Sequence, residues 1–369
     1  MLTGIKARKY VLKNHWHNFL KFNHKKLPIV TLSMRHCRDR HRYLMAQLFV
    51  EAGYFVQILD KFSTNDYYEK DPYGKYVYND KNMKFIPSLT PDMHNTIFCY
   101  DDPGMDEISL SFRKSIKIDY DVLLGIELGG NIIPYLMHPN AYRKKTAHSA
   151  MSLRNNRRDI KLFFGGNISA GVYDKESSML PGNLTRRGIT NALIDHFSDS
   201  GTVRVISEAD SILQMTGDNY SNNLFIFDAT TARVGRNEWL PIISSCDFFL
   251  CLPGVLMPMS HNVVEAMSVG TIPILNYPEW MSPMPINRVN CLIYSTLHEL
   301  YEVIDFVLNI DKNEIDKMRT GVLEYYDKYM DPATLVKSLE DSSINRFTYY
   351  YCAEFVTHDF ATKRLAAKQ

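Results

Sequence analysis

The densest chemistry in the chain lies in CDFFLCLPGVLMPMSHNVVEAMSVGTIPIL, residues 246–275, which reads as strand, loop, helix, glycine turn and strand. Ser260 is a suitable N-cap, and the helix after it points its first amides and positive dipole end at the strand C-termini. Such an end binds phosphate. Pro253 and Gly254 keep the preceding loop narrow, and glycine admits close approach of backbone to a ligand. Glu265 interrupts the apolar run VVEAM, so burial or a ligand is expected of it. A carboxylate there is placed to accept both hydroxyls of a ribose. His261, in the first turn, either touches phosphate or is a satisfied core histidine. Gly270 ends the helix and Pro273 opens a buried strand.

Two further features belong with this run. KLFFGGN, residues 161–167, puts Gly165, Gly166 and Asn167 after an apolar strand, as a tight turn or a phosphate loop. Arg186 and Arg187 stand at a helix start, where cations oppose the dipole and imply a bound anion or an acidic partner.

Together these motifs resemble the exostosin-type glycosyltransferases, whose pattern is an FFxG strand and turn, a downstream arginine, a run like FCLCPSG, then SPRVVEA and a Gly-x-x-Pro-Val-Ile ending. The resemblance covers roughly residues 161–308. It implies a nucleotide-sugar donor whose diphosphate is held at Gly165, Gly166 and Ser260 and whose ribose is held by Glu265. The family's SPRVVEA arginine is Asn262 here, so Arg186, Arg187, Arg233 or Arg236 would have to supply the missing cation. Retaining enzymes of the commonest related type carry two glutamates eight residues apart, and the residue eight before Glu265 is Met257. Inversion is therefore expected: a base removes the acceptor proton while charge builds on the leaving phosphate. Four residues in the first half, each after an expected strand, are candidate bases: His36, Asp39, Glu127 and His138. The sequence does not choose among them.

The elements that position these groups follow an α/β rhythm. Strands are expected at 29–34, 54–59, 96–100 and 122–126, with a helix over 41–52. A polar, basic segment over 141–159 reads as a linker. The rhythm restarts with strands at 161–164, 202–206, 224–227, 248–252 and 271–275, and with helices near 185–197, 238–245, 260–269 and 297–308. Strands alternating with helices imply parallel sheets with ligands at the strand C-termini. The expected fold is α/β of the GT-B type, two Rossmann-like domains facing a central cleft. A basic amphipathic segment spans 1–27, an acceptor domain 28–150, a donor domain 151–330 and a helical tail 331–369.

With 369 residues, 45% of them apolar, the chain can build two cores. A net charge of +1 lacks the footprint of a nucleic-acid binder. The six cysteines form no CxxC pair and read as buried thiols, and no apolar run reaches transmembrane length. A cytoplasmic setting is expected. Residues 1–26 carry seven cations and no acid, with Ile5, Leu12, Trp16, Phe19 and Leu20 at helical spacing, so either peripheral membrane contact or packing on the domain follows. Asp119, Tyr120 and Asp121 form a DxD, but with the strand expected after it the carboxylates sit at the wrong end for a metal. No metal and no cofactor is expected beyond the nucleotide-sugar co-substrate. The reading is transfer of a sugar to a saccharide or lipid-linked acceptor, against a sugar-nucleotide epimerase or a degenerate sugar-nucleotide or glycan-binding module.

Overall fold

The computed structural model describes residues 16, 18–23, 26–37, 40–60, 73–174, 185–206, 223–231, 234–235 and 237–367. Among these, every strand ladder is parallel. Parallel neighbours need a crossover, and the helices between strands supply it.

The first unit, Met1–Ile133 with Asp331–Val356, holds a seven-stranded sheet. Its strands are β1 (Ile29–Ser33), β2 (Phe55–Leu59), β3 (Met83–Ile86), β4 (Ile97–Tyr100), β5 (Lys114–Asp119), β6 (Asn131–Ile133) and β13 (Arg346–Tyr351), in the order β3-β2-β1-β4-β5-β13-β6. The second unit, Pro134–Met330 with Thr357–Gln369, holds β7 (Ile160–Gly166), β8 (Val203–Ile206), β9 (Leu224–Asp228), β10 (Cys246–Leu250), β11 (Ile272–Leu275) and β12 (Leu292–Ile293), in the order β12-β11-β10-β7-β9-β8. Two parallel α/β sheets of Rossmann type agree with the fold read from the sequence.

Two expectations are corrected. Residues 122–126 are not a strand: Val122–Glu127 is a helix whose first turn is capped by the Asp121 carboxylate, which accepts from Leu124 N at 3.0 Å. The strand lies upstream, in KSIKID, where charged residues hide an extended segment. Lys114 is buried there, and its ammonium donates to the carbonyls of Leu339 and Ser342 at 2.9 and 2.5 Å, at the C-terminal end of the helix Pro332–Asp341. The second correction concerns the chain after residue 331. It contains β13, which inserts between β5 and β6 by pairing with Ser115–Asp119 and Asn131–Ile133. The absence of a side chain at Gly125 makes room, since a Cβ there would lie 2.4 Å from the Tyr350 ring.

The expected linker 141–159 overlaps the end of the helix Pro139–Arg143 and contains the helix Ala150–Leu153. Its arginines serve the C-terminal end of the helix His261–Ser268: Arg154 donates to Ser268 O at 3.0 Å and Arg158 to Val269 O at 2.6 Å. Burial lowers the Arg158 pKa to about 10. Gly270, at φ 75°, closes that helix as expected.

All six cysteines are buried, and none is joined in a disulfide. Burial pushes the thiols of Cys99, Cys246, Cys251 and Cys352 up, and that of Cys291 to about 12. The unfolded chain therefore releases these protons at lower pH than the folded one, and stability falls as pH rises above the ordinary thiol value. Urea midpoints should decline steadily from about pH 9 toward pH 12, and should be insensitive to reductant.

Candidate functional site

In an open parallel sheet, ligands bind beyond the strand C-termini where the chain switches from one side of its first strand to the other. In the second unit that point falls between β7 and β10. The loop after β7 carries Gly165, Gly166 and Asn167; the loop after β10 carries Pro253, Gly254 and Ser260 and leads into the helix His261–Ser268. The structure thus gathers the expected donor residues from 165 to 265 around one sheet end.

What each side chain does there is specific. Ser260 is the N-cap by backbone conformation, yet its hydroxyl makes no cap bond and lies instead beside the buried Tyr277 phenol. The first turn is thus not plugged by its own cap residue. Asn262 donates from Nδ2 to Gly165 O at 3.2 Å, tying the helix start to the loop after β7. His261 is buried and donates from Nδ1 to Leu136 O at 2.6 Å, which fixes the proton on Nδ1 in the neutral ring.

Glu265 is 2% exposed, and both its oxygens accept from the protein: Oε1 from His138 N at 2.9 Å and Oε2 from Trp239 Nε1 at 2.7 Å. Both oxygens expected to meet a ribose are thus engaged with the protein itself. Gly165 underlies this arrangement, because a Cβ there would stand 2.7 Å from the Trp239 ring and 2.9 Å from Phe163. Gly254 is required by its own loop, where an added Cβ would meet Met257 O at 2.5 Å.

Arg186 is buried and staples the two loops. Its guanidinium donates to Pro253 O at 3.0 Å, Leu252 O at 3.3 Å and Asn167 O at 3.3 Å, and lies 4.4 Å above the Tyr173 ring. Burial lowers its pKa. Arg187 is half-buried; it faces Asp174 at 3.3 Å and donates to Ile168 O at 3.4 Å. Asn167 is exposed, with Oδ1 accepting from Ser169 N. Arg233 and Arg236 lie outside the described residues.

The first unit has its own switch point, between β1 and β4. His36 is exposed in the loop after β1. That loop is held by Asp101, a residue the sequence reading passed over: its carboxylate accepts from the amides of Arg35, His36 and Cys37 at 2.6, 3.0 and 3.1 Å and from the Tyr120 hydroxyl at 2.8 Å. Only its position two residues before a Pro-Gly turn, at the end of the apolar IFCY strand, marked it. Asp39 lies outside the described residues. Glu127 is exposed at the end of a helix and does not follow a strand. His138 belongs to the second unit, where its Nδ1 accepts from Asn140 N at 3.2 Å and its proton sits on Nε2 in the neutral ring.

The DxD is also relocated. β5 leads into it, so Asp119 and Asp121 stand at the strand's C-terminal end. Both are engaged locally: Asp119 Oδ1 accepts from Asp121 N at 2.9 Å, and Asp121 caps the next helix. Among the described residues no group of three or more His, Cys, Asp or Glu is placed to hold a metal ion.

No protein-family model and no curated protein sequence matches the chain. Among solved structures it is similar to AviGT4, a glycosyltransferase involved in avilamycin A biosynthesis, with TM-score 0.42 and 14% identity over 85% of this chain and 96% of the other. It is similar to HepE of Anabaena in complex with UDP, with TM-score 0.42 and 11% identity over 85% and 98%. It is also similar to the wall teichoic acid polymerase TagF, with TM-score 0.31 and 12% identity over 99% and 97%.

Two substitutions probe the positioning described above. Gly165→Ala drives a methyl into Trp239 and should lower stability by about 1–3 kcal/mol in urea titration. Asp101→Ala removes the acceptor for the amides of residues 35–37 and should speed their hydrogen exchange at least about tenfold, each lost bond being worth about 1 kcal/mol or more.

Proposed function

We propose that the chain is a GT-B glycosyltransferase that moves a sugar from a nucleoside-diphosphate donor to a saccharide or lipid-linked acceptor. The observation that carries this reading is the start of the helix His261–Ser268: at the switch point of a parallel sheet, Ser260 leaves its hydroxyl out of the cap. Amides and dipole there suit a diphosphate, and the loops at Gly165–Gly166 and Gly254 flank it. The motif resemblance over residues 161–308 supports the exostosin-like assignment.

In this reading, donor charge is met by backbone amides. Arg186 spends its guanidinium on loop carbonyls, so it positions the loops. Glu265 orients the helix against Trp239 and the His138 amide, and in this reading it lies beside the donor ribose. Transfer is inverting and metal-independent, and as the leaving diphosphate gains charge the helix end stabilises it. His36 is the base: it is an exposed imidazole on a loop fixed by Asp101.

Calorimetry with a panel of nucleoside diphosphates tests the donor site. Asn262→Asp places a carboxylate in the first turn and should weaken binding at least tenfold, whereas Asn262→Ala should bind within about threefold of wild type, one carboxylate at a helix end being worth up to about 2 kcal/mol. Equal binding by both variants would remove the helix end from the site. His36→Ala should lower kcat by about 10²–10⁴ with donor affinity intact. Product analysis without acceptor distinguishes transfer from epimerisation.

A further inference from the structure

The segment that enters the first sheet from the N-terminal side is inside out. Its polar side chains face the protein. Asn18 donates from Nδ2 to Phe85 O at 3.1 Å and accepts from Phe85 N at 2.9 Å, so its amide pairs with the outer strand β3 as a neighbouring strand would. Lys21 is buried, and its ammonium donates to the carbonyls of Val77 and Met83, both at 2.9 Å. Its large apolar side chains face outward. Trp16 is 64% exposed, Phe19 62%, Phe22 56% and Leu20 46%. Trp16 and Phe19 stack with centroids 6.1 Å apart, and the Lys84 ammonium sits 5.4 Å from the Phe22 ring. Four large apolar residues within seven positions, held outward by buried polar anchors, are not scattered surface exposure.

We infer that this face docks on an anionic bilayer surface. Two observations select that occupant. The first is charge: the chain has no acid before Asp39, while Lys6, Arg8, Lys9, Lys13, Lys25 and Lys26 surround the aromatic residues in sequence and Lys84 flanks them in space. An acidic lipid surface complements that charge, and basic residues beside it add attraction that salt weakens. The second is residue type, since tryptophan and phenylalanine beside lysine form the pattern that seats in the headgroup boundary. Among the described residues no helix is long and apolar enough to cross a membrane. This inference stands on the first unit alone and does not depend on the donor site. It favours a lipid-borne acceptor within the proposed transfer.

The test is cosedimentation of the full chain with vesicles of phosphatidylcholine alone and of phosphatidylcholine with one quarter phosphatidylglycerol. Wild type should partition at least tenfold more strongly onto the anionic vesicles, and 0.5 M salt should reduce that advantage severalfold. The triple variant Trp16→Ser, Phe19→Ser, Phe22→Ser should lose at least tenfold in partition at an unchanged thermal midpoint and with unchanged nucleoside diphosphate binding. Difference fluorescence between wild type and Trp16→Phe should show Trp16 quenched by acrylamide in buffer and protected, with blue-shifted emission, on vesicles. Equal partition of the triple variant would overturn the inference. So would Trp16 already protected without lipid, which would mean that the chain's own first residues or a second copy cover the face.

Discussion

A carboxylate taken out of water must find donors, and Glu265 finds them in groups that come from distant parts of the second unit. Its oxygens join the His138 amide and the Trp239 indole to the helix His261–Ser268. Trp239 can reach it only because Gly165 has no side chain, and Asn262 in turn holds Gly165 by its carbonyl. The helix start, the loop after β7 and the segment before β7 therefore have one mutually consistent arrangement. At the other end of the same helix, Arg154 and Arg158 occupy carbonyls at Ser268 and Val269. Protein cations thus meet the negative end of that helix dipole.

The two sheets solve the same loop problem with opposite charges. In the first, an anion gathers amides: Asp101 accepts from residues 35, 36 and 37. In the second, a cation gathers carbonyls: Arg186 donates to residues 167, 252 and 253. A loop whose amides are consumed by a carboxylate presents its side chains, His36 among them. In the loop held by the guanidinium the amides are engaged as well, Leu252 N with Leu250 O and Gly254 N with Pro258 O, both at 3.2 Å.

Much of this was legible in the residues. The helix and strands of 246–275, the glycine stop at Gly270 and the buried thiols follow from local signals: apolar period, a capping residue, a positive φ. Less legible was anything that depends on a partner far away in sequence. KSIKID, to which the sequence reading assigned no element, becomes a buried strand when the carbonyls of residues 339 and 342 are brought to Lys114. VLLGIE reads as a strand until Asp121 caps it and Tyr350 packs on Gly125. RFTYYY, near the end of the chain, completes a sheet begun more than two hundred residues earlier.

By itself, then, the sequence determined that there would be parallel sheets, a helix starting at Ser260, and a carboxylate at 265 that could not be left to solvent, because hydrophobic period and capping act over a few residues. Only the tertiary structure decided which of the polar residues would be spent on holding loops and which would face outward. Hydrogen-bond capacity is finite, and whether Arg186, Glu265 or Asn18 has any to spare depends on carbonyls and amides that only folding delivers to them.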